Sequence, residues 1–460
     1  MQSHADSRLG TENISKLMFQ LALPAVLAQV VNVLYNIVDR IYIGRIPNVG
    51  AAALTGVGVT FPIITIISAF SGFSSGGGAP LASIALGQNQ KERAEKILGN
   101  CTSLLLCCSV ILIMVFLIFQ KPLLYLFGAS DNTIGYSTTY ITIYLAGTFF
   151  VELAVGLNTF ISCQGQARTA MLSVLIGAVV NILLDPLFIF VFDMGVAGAA
   201  CATVISQALS AAWVLRFLTS DRSVIRLRIS RMKFNRSLLG SVLALGVSPF
   251  IMQATESAIT IVMNHGLQVY GGDLYVGSMT ILQSVMQLIF VPVSGFTNGV
   301  QPIISYNFGA GQFERVKQTI RRMISITFCV TFLYVLTAML FPGIFAGMFT
   351  TDAELLALVK KVLPVFISGM LIFGLQSGIQ SSFLGLGQAK ISLFIALLRK
   401  VILLIPLALI LPHFFGVMGV YYSEPIADVI SVTTAVTLFL LNIRKILSRE
   451  TLEKVANTKD

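Results

Sequence analysis

Residues 80–97, PLASIALGQNQKERAEKI, recur at residues 302–319 as PIISYNFGAGQFERVKQT. The two segments align without a gap at an offset of 222, pairing Pro80 with Pro302, Ser83 with Ser305, Gly87 with Gly309, Gln90 with Gln312, Glu92 with Glu314 and Arg93 with Arg315. The same offset carries Gly165-Gln166-Ala167-Arg168 onto Gly387-Gln388-Ala389-Lys390. An offset of 221 carries Gly195 and Gly198 onto Gly416 and Gly419, and one of 225 carries Pro24 onto Pro249. A chain that repeats in this way along its length is two copies of one unit, and the unit decides the fold.

The unit is a membrane one. The 460 residues are 56% hydrophobic and 11% charged, with mean hydropathy +0.86, against about 25% charged for an ordinary soluble domain. Apolar stretches long enough to cross a hydrocarbon layer of about 30 Å recur along the chain. Read between polar breaks, they predict helices over 17–43, 52–76, 97–119, 136–162, 168–192, 194–218, 238–268, 277–300, 322–346, 357–384, 390–415 and 417–443. The expected fold is an all-α integral membrane protein of twelve transmembrane helices. Residues 1–220 form an N-lobe of six, 221–237 a basic linker and 238–460 a C-lobe of six. Six is even, so the copies enter the membrane in the same sense and are expected to be related by a pseudo-twofold along its normal.

The N-terminal MQSHADSRLGTENISK has none of the order of a signal peptide. With both termini cytoplasmic, the inner segments hold 23 of the 30 Lys and Arg, and the outer ends only Arg40, Arg45, Lys121, Lys360 and Lys361. The net charge of +10 is thus a topology signal and calls for no nucleic acid. The expected location is the cell membrane, with seven basic residues of 216–237 forming a solvated linker beside anionic headgroups. Six cysteines lie in or beside apolar segments without metal or disulfide spacing and read as small hydrophobes. Gly76-Gly77-Gly78 has no following lysine and no preceding strand, so it is no phosphate loop.

Several segments together resemble the multidrug and toxic compound extrusion (MATE) transporters: LPAVLAQVVNVLYNIVDRIYIG (23–44), LNTFISCQGQARTAM (157–171), NILLDPLFIF (181–190), GVAGAACATVISQ (195–207) and the GQ-containing loops. The resemblance spans both halves. It implies a V-shaped, two-lobed antiporter exchanging organic cations for sodium ions or protons. In that family the acid of helix 1, the Asn and Asp of helix 5 and the Thr of helix 6 form a cation site, and Asp39, Asn181, Asp185 and Thr203 match them.

Charges within a bilayer are expensive and therefore functional candidates. The predicted spans hold Asp39, Glu152, Asp185, Glu256, Glu424 and Asp428 against Arg399 and Lys400, an acid excess that favours cationic cargo. Asn181 and Asp185 share a helix face, and their depth matches that of Asp39 and Thr203 to within a few turns. Carboxylates, an amide oxygen and a hydroxyl are the hard donors a sodium ion requires, and the same carboxylates can instead carry a proton. Otherwise Asp185 would cap a bend at Pro186, and Asp39 would be solvated at the interface. Asn32, Tyr35, Asn36 and Asp39 make a polar stripe on helix 1; the first three, with Glu256, are candidate substrate-cavity residues. The resemblance also implies a second sodium site around Glu256, but helix 10 lacks the acid that would complete it.

No cofactor is expected beyond the coupling ion, no metal beyond sodium, and no enzyme chemistry, since His4, His265 and His413 stand in no motif. Organic cations and membrane lipids are the expected partners of a functional monomer. The alternative is a flippase for polyprenyl-linked sugars, which would need clustered cations in its cavity to hold a pyrophosphate.

Overall fold

The computed structural model describes residues 4–448 and 450–452. The remaining parts of the expected cytoplasmic ends, residues 1–3, Arg449 and 453–460, lie outside them. The described residues form helices without strands. We number the spans α1 (Ile14–Gly44), α2 (Gly50–Gly87), α3 (Lys91–Leu126), α4 (Ile134–Ala146 and Thr148–Ser162), α5 (Ala167–Val191), α6 (Gly195–Thr219), α7 (Arg236–Gly271), α8 (Asp273–Gly309), α9 (Phe313–Leu340), α10 (Ala353–Phe366 and Phe373–Gly385), α11 (Ala389–Phe415) and α12 (Val417–Ile446). Ten are single helices long and apolar enough to cross a membrane, and the two segments of α4 pass the same test together across a 58° bend. The twelfth, α10, is split by a tight turn at Ser368–Leu371 into segments too short to cross singly. Side chains such as Ile118, Leu183 and Leu441 project outward and are more than 60% exposed, as lipid-facing positions are when hydrocarbon replaces water as the solvent.

The breaks in α4 and α10 fall at Gly147 and beside Gly369, which the repeat pairs at 222. A Cβ on Gly147 would lie 2.5 Å from the Val204 side chain on α6, and one on Gly369 would lie 2.7 Å from Cα of Pro425 on α12. Val204 and Pro425 are themselves paired at 221. The positive-φ residues pair as well: Asn89 (59°) with Gly311 (70°), Gly165 (79°) with Gly387 (68°), and Gly195 (53°) with Gly416 (58°). Each reverses the chain where only a left-handed residue fits.

The lobes meet reciprocally. α1 packs on α8, where Gly295 and Gly299 would carry a Cβ 2.7 and 2.6 Å from the Cα atoms of Val26 and Ala22; α2 packs on α7, where Gly77 abuts the carbonyl of Val242. Gly87 abuts the carbonyl of Tyr306, and Gly309 that of Ile84. Because 84 pairs with 306 and 87 with 309, this contact is isologous, as a twofold requires.

One hydrophobic core, including Leu17, Ile84, Ile97, Phe160, Val242, Ile303, Phe308 and Phe383, joins both lobes at the face carrying the basic loops. Toward the opposite face each lobe has its own core, with Ile63, Tyr140 and Val196 in one and Met279, Phe366 and Tyr421 in the other. The lobes therefore close at the basic face and part at the other.

Two expectations change. Helices α2 and α8 run on to Gly87 and Gly309, and α3 and α9 begin at Lys91 and Phe313, so the loops shrink to 88–90 and 310–312. Polar residues there are the amphipathic ends of helices, which hydropathy alone reads as loop. Nor is 216–237 a free linker. Residues 223–235 lie against the N-lobe: Gln164 Oε1 accepts from the Val224 and Ile225 amides (2.7 and 3.3 Å), Asn100 Oδ1 from Asn235 N (2.7 Å), and Arg231 pairs with Glu92 (3.0 Å).

Candidate functional site

The N-lobe gathers Asp39 from α1, Asn181 and Asp185 from α5 and Thr203 from α6, all 8% exposed or less. α5 packs against both α1 and α6. Asn181 and Asp185, one turn apart, meet directly: Asn181 Nδ2 donates to Asp185 Oδ1 at 3.2 Å. Asp39 is brought to them by the packing of α1 on α5. Asp39 Oδ1, Asn181 Oδ1 and Asp185 Oδ2 are buried with no hydrogen-bond donor among the described residues. Asp185 thus does not bond the backbone freed at Pro186. After that proline, the helix passes into a wider π turn at Leu187–Val191, a distortion frequent beside functional sites. Nor is Asp39 solvated, and its neighbour Arg40 stacks over Phe61, 4.4 Å from the ring centroid, without pairing with it.

A tyrosine and a glutamine absent from the sequence reading, Tyr140 and Gln207, lie on helices that pack around the cluster. Tyr140 is buried where α4 packs on α6, and Gln207 lies one turn past Thr203 on α6. The signal for Gln207 is its i,i+4 spacing from Thr203 on an otherwise apolar span. Of the helix 1 stripe, Tyr35 and Asp39 turn into the lobe, Asn32 is exposed, and Asn36 bonds back to the Asn32 carbonyl at 2.6 Å.

The C-lobe is different. Arg399, in a π turn of α11, donates to Asp428 Oδ1 (2.7 Å) and Glu424 Oε1 (2.9 Å) on α12 and lies over Phe373, 4.5 Å from the ring centroid. Lys400 binds Glu256 Oε2 at 2.6 Å. Glu256 therefore stands apart from Asn32, Tyr35 and Asn36, on the other lobe and already engaged by a cation. Three of the six intramembrane acids are paired with the two intramembrane cations, so the unpaired acids, Asp39, Glu152 and Asp185, all belong to the N-lobe. The same pairing occupies the charges a pyrophosphate would need.

Two parallel six-helix lobes that close on one face, with a buried cluster of donor-free oxygens in one of them, have the architecture of a secondary transporter. The MatE family model matches residues 24–187 and again 249–410, one match per lobe, and the chain belongs to this family of transporters. It is similar along 96% of its length to proteins called Multidrug export protein MepA: 25% identical to that of Staphylococcus haemolyticus (strain JCSC1435) and 26% to that of Staphylococcus aureus (strain MSSA476), covering 96% and 97% of those chains. Among solved structures, it superposes on a MATE in the bent conformation with TM-score 0.88 (24% identity; 99% of this chain, 100% of that one). It also superposes on an outward-facing MATE multidrug resistance transporter with TM-score 0.86 (23%; 97% and 98%).

Proposed function

We propose that the protein is a secondary active antiporter that exports small organic cations across the cell membrane in exchange for protons or sodium ions bound at Asp39, Asn181, Asp185 and Thr203. One observation carries the reading: three buried oxygens of this cluster have no donor among the described residues. Buried acceptors are nearly always satisfied, so an unsatisfied group of them fits a ligand that comes and goes. A proton shared by Asp39 and Asp185 removes the repulsion of two facing carboxylates. A sodium ion would draw on the same oxygens with Asn181 Oδ1 and Thr203 Oγ1.

Export as the direction follows the names of the MepA relatives. With both termini cytoplasmic, the basic face is the inner one, and the parted lobes open outward. The ion then enters from outside, and its binding favours the inward-open state that takes up drug. Such a shift requires the ion to bind the two states with different affinity. The unpaired acids of the N-lobe favour cations as cargo, and Asn32 and Tyr35 are the candidate contacts. A flippase would require free cations where Arg399 and Lys400 are engaged.

The test is ethidium transport by the purified protein in liposomes, under proton and sodium gradients imposed separately. Either gradient should drive uphill ethidium movement but not that of an anionic dye of similar size. Movement driven by neither gradient, or equal movement of both dyes, would contradict the proposal.

A further inference from the structure

Glu152 lies on α4, five residues past the break at Gly147, and is fully buried, yet neither carboxylate oxygen has a hydrogen-bond partner among the described residues. One turn earlier, Thr148 is equally buried with its hydroxyl unsatisfied. A helical threonine usually bonds the carbonyl four residues back. For Thr148 that residue is Tyr144, on the far side of the 58° bend. The bend therefore leaves two polar groups one turn apart on one helix face, with no hydrogen-bond partner among the described residues.

Away from their ends, the helices packed against this part of α4 carry few titratable groups: Cys101, Cys107 and Cys108 on α3, Asp185 on α5, Cys201 on α6 and none on Gly50–Gly72 of α2. No cation among the described residues pairs with Glu152. An unpaired buried carboxylate costs several kcal/mol. A lone carboxylate and one hydroxyl offer too few oxygens to replace the hydration shell of sodium.

We propose that Glu152 is a second proton-binding site of the N-lobe, separate from the Asp39–Asp185 pair. The carboxylate takes one proton from water to become the acid, which can donate to Thr148, and returns that proton to water when it ionises. On the other segment of α4, Tyr140 and Tyr144 stack with centroids 6.4 Å apart.

The experiment is infrared difference spectroscopy of the purified protein in lipid nanodiscs as pH is scanned, reading the carbonyl stretch of protonated carboxylic acids. Glu152→Gln should lose one acid band that Asp185→Asn retains. A Glu152→Gln spectrum that superposes on wild type at every pH overturns the proposal. Should Glu152→Gln not fold, Glu152→Asp serves: a displaced band supports the site, and an unmoved spectrum overturns it. Because no transport is measured, the outcome is independent of which ion drives export.

Discussion

Arg399 and Asp185 show two ways of holding a carboxylate inside a membrane protein. Around Arg399 the neutralising charge is built in, and removing it leaves Glu424 and Asp428 buried without compensation. Arg399→Met should lower stability by about 3–5 kcal/mol, seen as a lower thermal unfolding temperature in detergent. Adding Glu424→Gln and Asp428→Asn should recover most of it. An Arg399→Met protein as stable as wild type would show the pairs to be inconsequential. Around Asp185 no cation among the described residues supplies that charge. The pairing of Asn181 with Asp185 was legible because i,i+4 spacing puts two residues on one face whatever the tertiary fold. The partners of Arg399, 25 and 29 residues away on another helix, were not, because only packing brings them together. The acid excess counted along the sequence was correct in number, but its confinement to the N-lobe follows from that pairing.

Among the elements, helix number and order were legible, since hydropathy reports burial in lipid directly. Helix ends at the basic face were not, because their polar residues sit on helices that emerge into headgroups. The breaks in α4 and α10 were visible only as two glycines, Gly147 and Gly369, and their meaning lies in the side chains of α6 and α12 that occupy the missing Cβ space. The 223–235 segment reads as a charged linker because charge is what composition sees, whereas its backbone is held by single amides. Gln164→Ala would leave the Val224 and Ile225 amides without their acceptor, a loss of about 1–3 kcal/mol for each buried group left unsatisfied. Limited trypsin digestion should then cut faster after Arg222 or Arg226 than in wild type. An unchanged cleavage rate would mean that the segment is held by its other contacts alone.

For the whole molecule, the repeat becomes physical where the lobes touch. Gly87 and Gly309 make the same contact in opposite directions, so Gly87→Ala and Gly309→Ala should destabilise alike, each by about 1–3 kcal/mol as overpacking does. A protein indifferent to one and unfolded by the other would deny the equivalence. The symmetry of the scaffold is broken in its chemistry: the intramembrane acids of the C-lobe are paired with Arg399 and Lys400, whereas those of the N-lobe have no cation among the described residues, which is why the proposed coupling ion is placed there. Asp185→Asn tests this most directly. The amide keeps the size of the carboxylate but can neither take up a proton nor offer sodium a charge. The purified variant is measured twice, for ethidium binding and for gradient-driven ethidium transport in liposomes. Binding within a few-fold of wild type with uphill transport lost is the predicted result; wild-type uphill transport by Asp185→Asn would contradict it.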